Sequence, residues 1–265
     1  MELTVARVPR YFWGFLLTVL YGFLLLPLVV VVLASFSGGQ VLRFPPEGFS
    51  LKWYARFFSD DTFISALLLS LRLALISALA VSVLAVTAAL FYRRLSARWR
   101  GPFRILVMLP LLLPEILTAI GLLFFLYRLG LGSSMIGLQV SHIVATLPFS
   151  FLAVTAALQQ VDPSLEEASA SLGAGAFETF WRVVLPLLRP GLFSGALFAF
   201  IVSFDMFTMS FLLKPIGGNT LPLALFDYLK YDFDPTAAAA ATVSVAFALV
   251  VVVLVERSVG LRRAF

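Results

Sequence analysis

Long apolar runs alternate with short polar stretches over the whole chain, and this alternation predicts a helical membrane protein. A run needs about 20 predominantly apolar residues to cross the hydrocarbon core of a bilayer as an α-helix. Six runs meet that length, at approximately residues 11–34, 63–92, 103–127, 135–158, 191–213 and 235–255. We call them spans 1 to 6 and expect an all-α integral membrane protein with six transmembrane helices.

The polar stretches between the spans differ in length and character. The stretch after span 1 contains the pairs Gly38-Gly39 and Pro45-Pro46, and its segment 51–58 is expected to form a short interfacial helix. The stretch after span 5, residues 214–234, is predicted as a long loop.

The window between spans 4 and 5 contains an unusual density of helix start and stop signals. Asp162-Pro163 offers an N-cap followed by proline at the first helical position. Ser164 and Glu167 form an alternative start, a capping box, and the sequence leaves open which start operates. The glycines of 173–175 end this first short helix, because glycine tolerates the left-handed conformation of a helix end.

A second short helix is predicted after the glycines, because aromatic and aliphatic residues recur there at helical spacing. Pro186 and Pro190 close the window between spans 4 and 5. Two short helices at an angle, one with an aromatic stripe, make a knob that fits a groove in another protein. An ordinary loop that packs on its own helices remains the alternative. The stripe consists of Phe177, Phe180, Trp181 and Val184.

Composition supports the membrane assignment and excludes several classes of protein. The chain is 61% hydrophobic and 12% charged, far from the balance of a soluble domain. It has no cysteine, which excludes disulfides and cysteine-ligated metals. The net charge of +5 does not indicate nucleic-acid binding, because the basic residues fall between apolar spans. The first apolar run is too long for a signal peptide, so we expect a retained span.

The distribution of Lys and Arg predicts the orientation. Six spans place both termini on one side, and that side carries twelve of the 19 basic residues against six on the other. Because Lys and Arg prefer the cytoplasmic side, we expect both termini and the loop 159–190 to be cytoplasmic. The basic residues nearest the termini are Arg7, Arg10, Arg257, Arg262 and Arg263.

Two acids lie within apolar spans, Glu115 in span 3 and Asp205 in span 5. A carboxylate at mid-membrane costs about 2.5–3.5 kcal/mol, so it normally faces a polar cavity or a partner. One hypothesis is a pathway that favours cations; the other is structural pairing with Arg72 or a neighbouring subunit. Pro110 and Pro114 should kink span 3, as happens where a helix lines a cavity, and favour the pathway.

The remaining chemistry-bearing residues do not indicate an enzyme. His142 is the sole histidine, so a hydrogen-bonded core histidine is expected rather than a metal ligand. The chain lacks a nucleophile-elbow signature and a phosphate-cradling glycine–lysine motif. We therefore expect no catalytic activity in this chain, no cofactor or metal on it, and no ATP binding by it.

The spacing in the window between spans 4 and 5 resembles a known motif. Glu167-Ala168-Ser169, Gly173 and the run 183–186 (VVLP) match the E-A-A-x3-G-x9-I-x-L-P loop of permeases from binding-protein-dependent ABC importers. Ser169 and Val183 depart from the pattern by small changes. In that family the loop docks into the ATP-hydrolysing subunit. The resemblance implies an ATPase-coupling role for Glu166, Glu167, Ala168, Gly173, Phe177, Trp181, Leu185 and Pro186.

A second resemblance concerns the solute. Segments 203–207 and 219–222, the positions 109–110 with 114–115, and Trp53-Tyr54 are similar to the spermidine/putrescine branch of these permeases. Met206 stands where that branch often has a second acid. The resemblance implies a polyamine or a similar cationic or amino-acid-like solute. The substrate-pathway residues would be Glu115, Asp205, Phe204 and Phe207.

The resemblance also implies an architecture and partners. Residues 63–256 would form the five-span type I ABC importer permease (MetI-like) core, with the coupling loop at 159–190. Residues 1–62 would add span 1 and a periplasmic segment, and 257–265 a cytoplasmic tail. Such permeases of the bacterial inner membrane work in pairs of similar or identical chains. Two ATPase subunits, which use ATP and Mg²⁺, and a periplasmic solute-binding protein would complete an importer that works by alternating access.

The competing hypothesis is a stand-alone secondary transporter driven by an ion gradient. It would use Glu115 and Asp205 as proton or cation sites. It requires no ATPase, and it leaves the spacing from Glu167 to Pro186 unexplained.

Overall fold

The computed structural model describes residues 10–259, and this part of the chain is helical with no β-strand. Outside the described residues lie 1–9 of the N-terminal segment and 260–265 of the tail. These segments include Arg7, Arg262 and Arg263, which count toward the predicted orientation. The helices are α1 Arg10–Ser35, α2 Lys52–Ser59, α3 Asp61–Arg94, α4 Ala97–Leu112, α5 Glu115–Arg128, α6 Met135–Gln159, α7 Pro163–Ser171, α8 Ala176–Thr179, α9 Leu185–Phe204, α10 Phe207–Leu213, α11 Leu221–Tyr231 and α12 Thr236–Val259.

Within residues 10–259, five helices are long and apolar enough to cross a membrane, and one bent pair of helices supplies a sixth candidate. Spans 1, 2, 4 and 6 correspond to α1, α3, α6 and α12. The predicted interfacial helix is α2. The prediction of an all-α protein with six spans is confirmed, because hydrophobic length alone selects segments that can cross a bilayer.

The chain divides into two compact units. Of the described residues, the first contains 10–60 together with Asp227–Ala246. In it, the Trp53 indole N–H donates to the Ser37 carbonyl (2.7 Å), and the Ser35 and Tyr54 hydroxyls are hydrogen-bonded (2.6 Å). The Arg56 guanidinium pairs with the Asp234 carboxylate. Polar and aromatic contacts of this kind fix α2 against the residues that follow α1.

The second unit contains Asp61–Phe226 and the residues from Phe247 onward. Its centre is the packing of α3, α6 and α9, where small residues let the backbones approach closely. A Cβ on Gly191 would lie 2.5 Å from the Ala157 Cβ, and one on Gly195 would lie 2.8 Å from the Ser150 Cα. The Ser150 hydroxyl also donates to the Gly195 carbonyl (2.8 Å). The Gly191–Gly195 face of α9 therefore sets its distance from α6.

Span 3 is not the single helix that its hydrophobicity predicts. It consists of α4 and α5, which meet at 104°. The break falls at Leu113-Pro114, where Leu113 is extended (φ −87°, ψ 149°). A proline ring disfavours the helical conformation in the residue before it, so α4 ends there and Glu115 becomes the first residue of α5. Pro110, by contrast, lies inside α4.

Span 5 is also wrong in its predicted bounds and continuity. Helix runs from Ala176 to Phe204 without a break, through the π-helical turn Phe180–Val184 and past Pro186 and Pro190. The expected second short helix is therefore the beginning of this long helix, and the two prolines do not end it. The π turn directly before α9 is wider than an α-helical turn, and it accommodates the ring of Pro186 without ending the helix.

The other end of span 5 is interrupted where the sequence predicted continuous helix. α9 ends at Phe204, and α10 begins at Phe207. Asp205 and Met206 form the break, so Asp205 caps the end of α9 instead of lying within a helix. The predicted loop 214–234 likewise contains a helix, α11, that the sequence analysis did not foresee.

We predict that Gly195→Leu lowers the stability of the chain, because the new side chain has no space between α9 and Ser150 of α6. Overpacking of this kind costs about 1–3 kcal/mol. The measurement is thermal unfolding of the full chain in detergent. Gly121→Leu in α5 is the matched control, since a Cβ there meets nothing within 4 Å. Equal losses for both variants would contradict the close α6–α9 approach.

Candidate functional site

A cavity in the second unit lies where the breaks in spans 3 and 5 meet. Its volume is about 560 Å³. Three of the four predicted pathway residues, Glu115, Asp205 and Phe207, line it. The other lining residues are Pro110, Leu111, Leu113, Ala145, Phe149, Ile201, Val202, Met206, Thr208 and Met209. The wall therefore contains two carboxylates, no Lys or Arg, and otherwise mostly apolar surface.

Phe204 does not line this cavity, which corrects its predicted placement. It is 5% exposed. Its ring stacks on Phe200 (6.1 Å between centroids) and contacts Phe247 (5.5 Å). Aromatic groups pack in this way in apolar cores, so Phe204 anchors the end of α9 while the next residue enters the break.

The two acids reach the cavity from opposite kinds of helix terminus. Glu115 is in the first turn of α5, where the helix dipole favours a negative charge. Asp205 follows the last residue of α9, and its backbone N–H donates to the Ile201 carbonyl (3.2 Å). Both acids are exposed to the cavity side. Carboxylates in this wall can accept hydrogen bonds from cationic groups in the cavity.

Pairing with Arg72, one of the structural alternatives, does not occur within residues 10–259. No ion pair in that part of the chain joins Arg72 to Glu115 or Asp205. Arg72 lines a separate cavity of about 200 Å³. Of the two sources of pairing considered from the sequence, a neighbouring subunit is the one that remains.

His142 links three elements at the break. It is fully buried in α6, as expected of a core histidine, and its Nδ1 lies 2.8 Å from the Ser203 Oγ and its Nε2 3.3 Å from the Ser210 Oγ. The Ser210 hydroxyl donates its one hydrogen to the Met206 carbonyl (2.8 Å). Ser210 must therefore accept from Nε2–H, which leaves Nδ1 to accept from Ser203.

In the neutral imidazole this arrangement places the hydrogen on Nε2, and the two bonds tie α6 to α9 and α10, on both sides of Asp205. Sequence reasoning expected a hydrogen-bonded histidine but not its partners. The available signal was a pair of serines that flank the intramembrane acid of span 5. Among residues 10–259 no three His, Asp or Glu side chains are grouped so as to hold a metal ion.

The loop between α6 and α9 forms the second candidate region, and its helix start is resolved. The Asp162 carboxylate accepts from the Ser164 N–H (2.9 Å), with Pro163 at the first position of α7. That hydrogen bond lowers the pKa of Asp162. After α7, Gly173 has a φ of +88°. The Ala174 N–H then donates to the Ser169 carbonyl (3.1 Å), as in a glycine-terminated helix end.

The surface of this loop is apolar and exposed. Leu172 is 89% exposed, Phe177 78% and Trp181 52%. An ordinary loop that packs on its own helices would cover such side chains, so their exposure favours the knob over that alternative. The predicted aromatic stripe is nevertheless split, because Val184 is buried and Phe180 is half-buried. We call the exposed part, Leu165, Leu172, Phe177 and Trp181, the apolar knob surface.

The predicted coupling residues divide into exposed and inward-facing groups. The exposed group is Glu167, Ala168, Gly173, Phe177 and Trp181, and the partly covered group is Glu166, Leu185 and Pro186. A groove of about 480 Å³ runs beside Ala168, Leu172 and Gly173. Glu166 instead turns toward α3, where Arg93 binds it through two hydrogen bonds.

Known proteins match this chain over most of its length. A family described as "Binding-protein-dependent transport system inner membrane component" matches residues 81–262. The putrescine transport system permease protein PotI of Escherichia coli K12 is 29% identical over 243 residues, which cover 88% of this chain and 85% of PotI. The spermidine/putrescine transport system permease protein PotC of Haemophilus influenzae is 31% identical over 220 residues, covering 82% and 84%.

A third relative differs in its solute. The molybdenum transport system permease protein ModB of Mycobacterium bovis is 34% identical over 189 residues, which cover 66% of this chain and 71% of ModB.

Solved structures match the fold. A bacterial ABC transporter involved in import of the acidic polysaccharide alginate superposes with a TM-score of 0.69 at 18% identity, over 98% of this chain and 99% of that one. The inward-facing MetNI methionine ABC transporter gives a TM-score of 0.61 at 18% identity, over 76% and 95%. At these identities the likeness establishes the fold alone.

We predict that His142→Leu destabilises the chain more than His142→Asn. Leucine leaves the buried Ser203 hydroxyl without its partner, at about 1–3 kcal/mol for an unsatisfied group, whereas Ser210 keeps its bond to the Met206 carbonyl. Asparagine can keep the bond to Ser203. Thermal unfolding in detergent measures the order of the variants. Ser82→Ala is the control, because that hydroxyl bonds only within its own helix, to the Ala78 carbonyl. Equal stability of the leucine and asparagine variants would contradict the hydrogen-bonding role.

Proposed function

The chain belongs to the family of binding-protein-dependent transport system inner membrane components, and from that premise we propose that it is the permease subunit of an ATP-driven importer for a small cationic solute of the polyamine type. The cavity at the two helix breaks supports this solute class, because its wall has two carboxylates and no basic side chain.

A polyamine matches this wall in charge and in shape. Its protonated amines would be bound by Glu115 and Asp205 through charge-assisted hydrogen bonds. Its methylene chain would pack against Phe207, Met206 and Met209, since thioether and aromatic groups contact alkyl chains favourably. The solutes of the relatives PotI, putrescine, and PotC, spermidine and putrescine, support this class. ModB, by contrast, is the permease of a molybdenum transport system. A cavity wall with two acidic side chains and no basic side chain suits a cationic solute and not an anionic one.

The importer mechanism follows from the continuity of one helix. The helix from Ala176 to Phe204 begins in the knob and ends at Asp205. At 1.5 Å per residue, its length is about 43 Å. We propose that an ATPase subunit receives the apolar knob surface. Closure of the ATPase dimer would then tilt this helix and move Asp205, and the cavity would open alternately to the two sides.

The same proposal includes the partners and the orientation. Two ATPase subunits would bind ATP and Mg²⁺, a second permease chain of similar or identical sequence would complete the pore, and a periplasmic binding protein would deliver the solute. The excess of Lys and Arg on the terminus side supports cytoplasmic termini and a cytoplasmic loop. This chain itself would catalyse no reaction.

The direct experiment is purification of the tagged chain from its native membrane with its associated proteins, followed by reconstitution in liposomes. We expect an ATPase to copurify and labelled putrescine or spermidine to accumulate only with ATP. Uptake by the chain alone, driven by an ion gradient without ATP, would overturn the proposal in favour of an ion-coupled secondary transporter.

We predict that Gly173→Val abolishes most uptake while ATP hydrolysis and membrane insertion persist. Valine at a φ of +88° is strained, so the end of α7 must rearrange and displace the knob. The measurement is solute transported per ATP hydrolysed in the reconstituted complex. Gly175→Val is the matched control, because Gly175 has a φ of −72° and a Cβ at either glycine meets nothing within 4 Å. Normal uptake by Gly173→Val would exclude the coupling role.

We predict that Asp205→Asn weakens uptake of a cationic solute without affecting assembly. Loss of one charge-assisted hydrogen bond is worth about 1.5–3 kcal/mol, so uptake at low solute concentration should fall about ten-fold or more. Initial uptake rates against concentration measure the effect. Asp232→Asn serves as the control for the loss of an exposed carboxylate outside the cavity. Unchanged kinetics for Asp205→Asn would indicate a structural role.

A further inference from the structure

We infer that the ion pair between Arg93 and Glu166 is the contact that fastens α7 to α3, so that a force on the helical loop reaches α3 as well as α9. The transmission of force to α3 is one half of this inference, and it rests on the proposed function; the attachment of α7 to α3 is the other half. The attachment half concerns the chain alone.

The geometry of the pair is specific. The Arg93 Nη1 lies 2.6 Å from Glu166 Oε1, and Nη2 lies 3.1 Å from Oε2. A guanidinium that binds both oxygens of a carboxylate fixes orientation as well as distance. The two side chains are 35% and 28% exposed, so the pair is partly shielded from water.

Arg93 is presented from a fixed helix end. It belongs to the last turn of α3. The Arg100 guanidinium donates to the Arg93 carbonyl (3.1 Å) and to the Leu95 carbonyl (3.0 Å). These bonds satisfy carbonyls that α3 leaves free at its terminus, and they hold the turn from which Arg93 reaches Glu166.

Few side-chain bonds join α7 to the rest of the structure. None of its nine residues is buried, so it lacks the apolar face that normally orients a helix. Among the described residues, the other side-chain bond from α7 to a different element joins the Ser169 and Thr179 hydroxyls (2.9 Å). Two polar side-chain links, one to α3 and one to α8, therefore orient α7 in addition to its packing against α8 and the π turn.

The two links connect α7 to different membrane-spanning helices. The Ser169–Thr179 link reaches the helix that continues to Asp205. The Arg93–Glu166 link reaches α3, whose Ser77 hydroxyl accepts from the Gln139 amide of α6 (2.8 Å). Movement of α7 would then act directly on both α3 and α9, whereas a broken ion pair would leave α9 as the direct route from α7 into the packed helices.

Attachment is tested on the full chain by spin labels. The chain has no cysteine, so Arg94→Cys on α3 and Ser171→Cys on α7 give two unique sites. Double electron–electron resonance spectroscopy in lipid nanodiscs measures the distribution of distances between the two spin labels. We expect a narrow distribution with Arg93 and Glu166 intact, a broad one in Glu166→Gln, and a narrow one again in the double variant Arg93→Glu with Glu166→Arg.

Transmission is tested in the reconstituted complex as solute transported per ATP hydrolysed. We expect Arg93→Glu to lower this ratio about three-fold or more while hydrolysis continues. Reversal of both charges should restore it, which a general folding defect would not allow. Arg94→Glu is the matched control, because Arg94 is the adjacent, exposed arginine of the same turn.

The outcomes separate the two halves. An unchanged distance distribution in Glu166→Gln overturns the attachment. A broadened distribution with an unchanged transport ratio overturns the transmission. A native complex without ATP-dependent uptake overturns the proposed function and with it the transmission, and the label distances then decide the attachment alone.

Discussion

Backbone hydrogen bonding in hydrocarbon is the constraint on which this structure depends. A lipid-exposed N–H or C=O finds no water, so a spanning helix can break only where protein or a cavity satisfies the freed groups. Both breaks, at Leu113-Pro114 and at Asp205-Met206, line the same cavity. At the second break the Ser210 hydroxyl satisfies the Met206 carbonyl, and His142 holds that hydroxyl in turn. The polar network thus permits the irregular backbone that brings Asp205 into the cavity.

Close helix packing connects this cavity with the loop. The Gly191–Gly195 face of α9 lies against α6 with no space for a Cβ, and such small-residue contacts replace the hydrophobic driving force that lipid does not supply. The helix that begins in the knob is therefore held against α6 at Gly191 and Gly195.

Charge is arranged differently at the two ends of this helix. In the cavity, Glu115 and Asp205 face a wall without a basic side chain, which leaves their charge available to a cationic solute. At the loop, Glu166 is already neutralised by Arg93, while the neighbouring knob surface is apolar and exposed. The arrangement suits a solute in the cavity and a protein partner at the knob, and it places an internal tie between the loop and α3.

Local rules allowed much of the protein to be predicted from its sequence. Hydrophobic length determined which segments can span a membrane, and the Asp162 cap and the left-handed Gly173 determined where α7 begins and ends, because each depends on neighbouring residues alone. The fate of each proline depended on the tertiary structure. Pro114 breaks a span and Pro186 does not, since only the surrounding helices decide whether a lost backbone bond can be accommodated. The partners of His142 lie 61 and 68 residues away, and Phe204 turns from the cavity into an aromatic cluster. Contacts between residues so distant in sequence are created by packing, which no local pattern specifies.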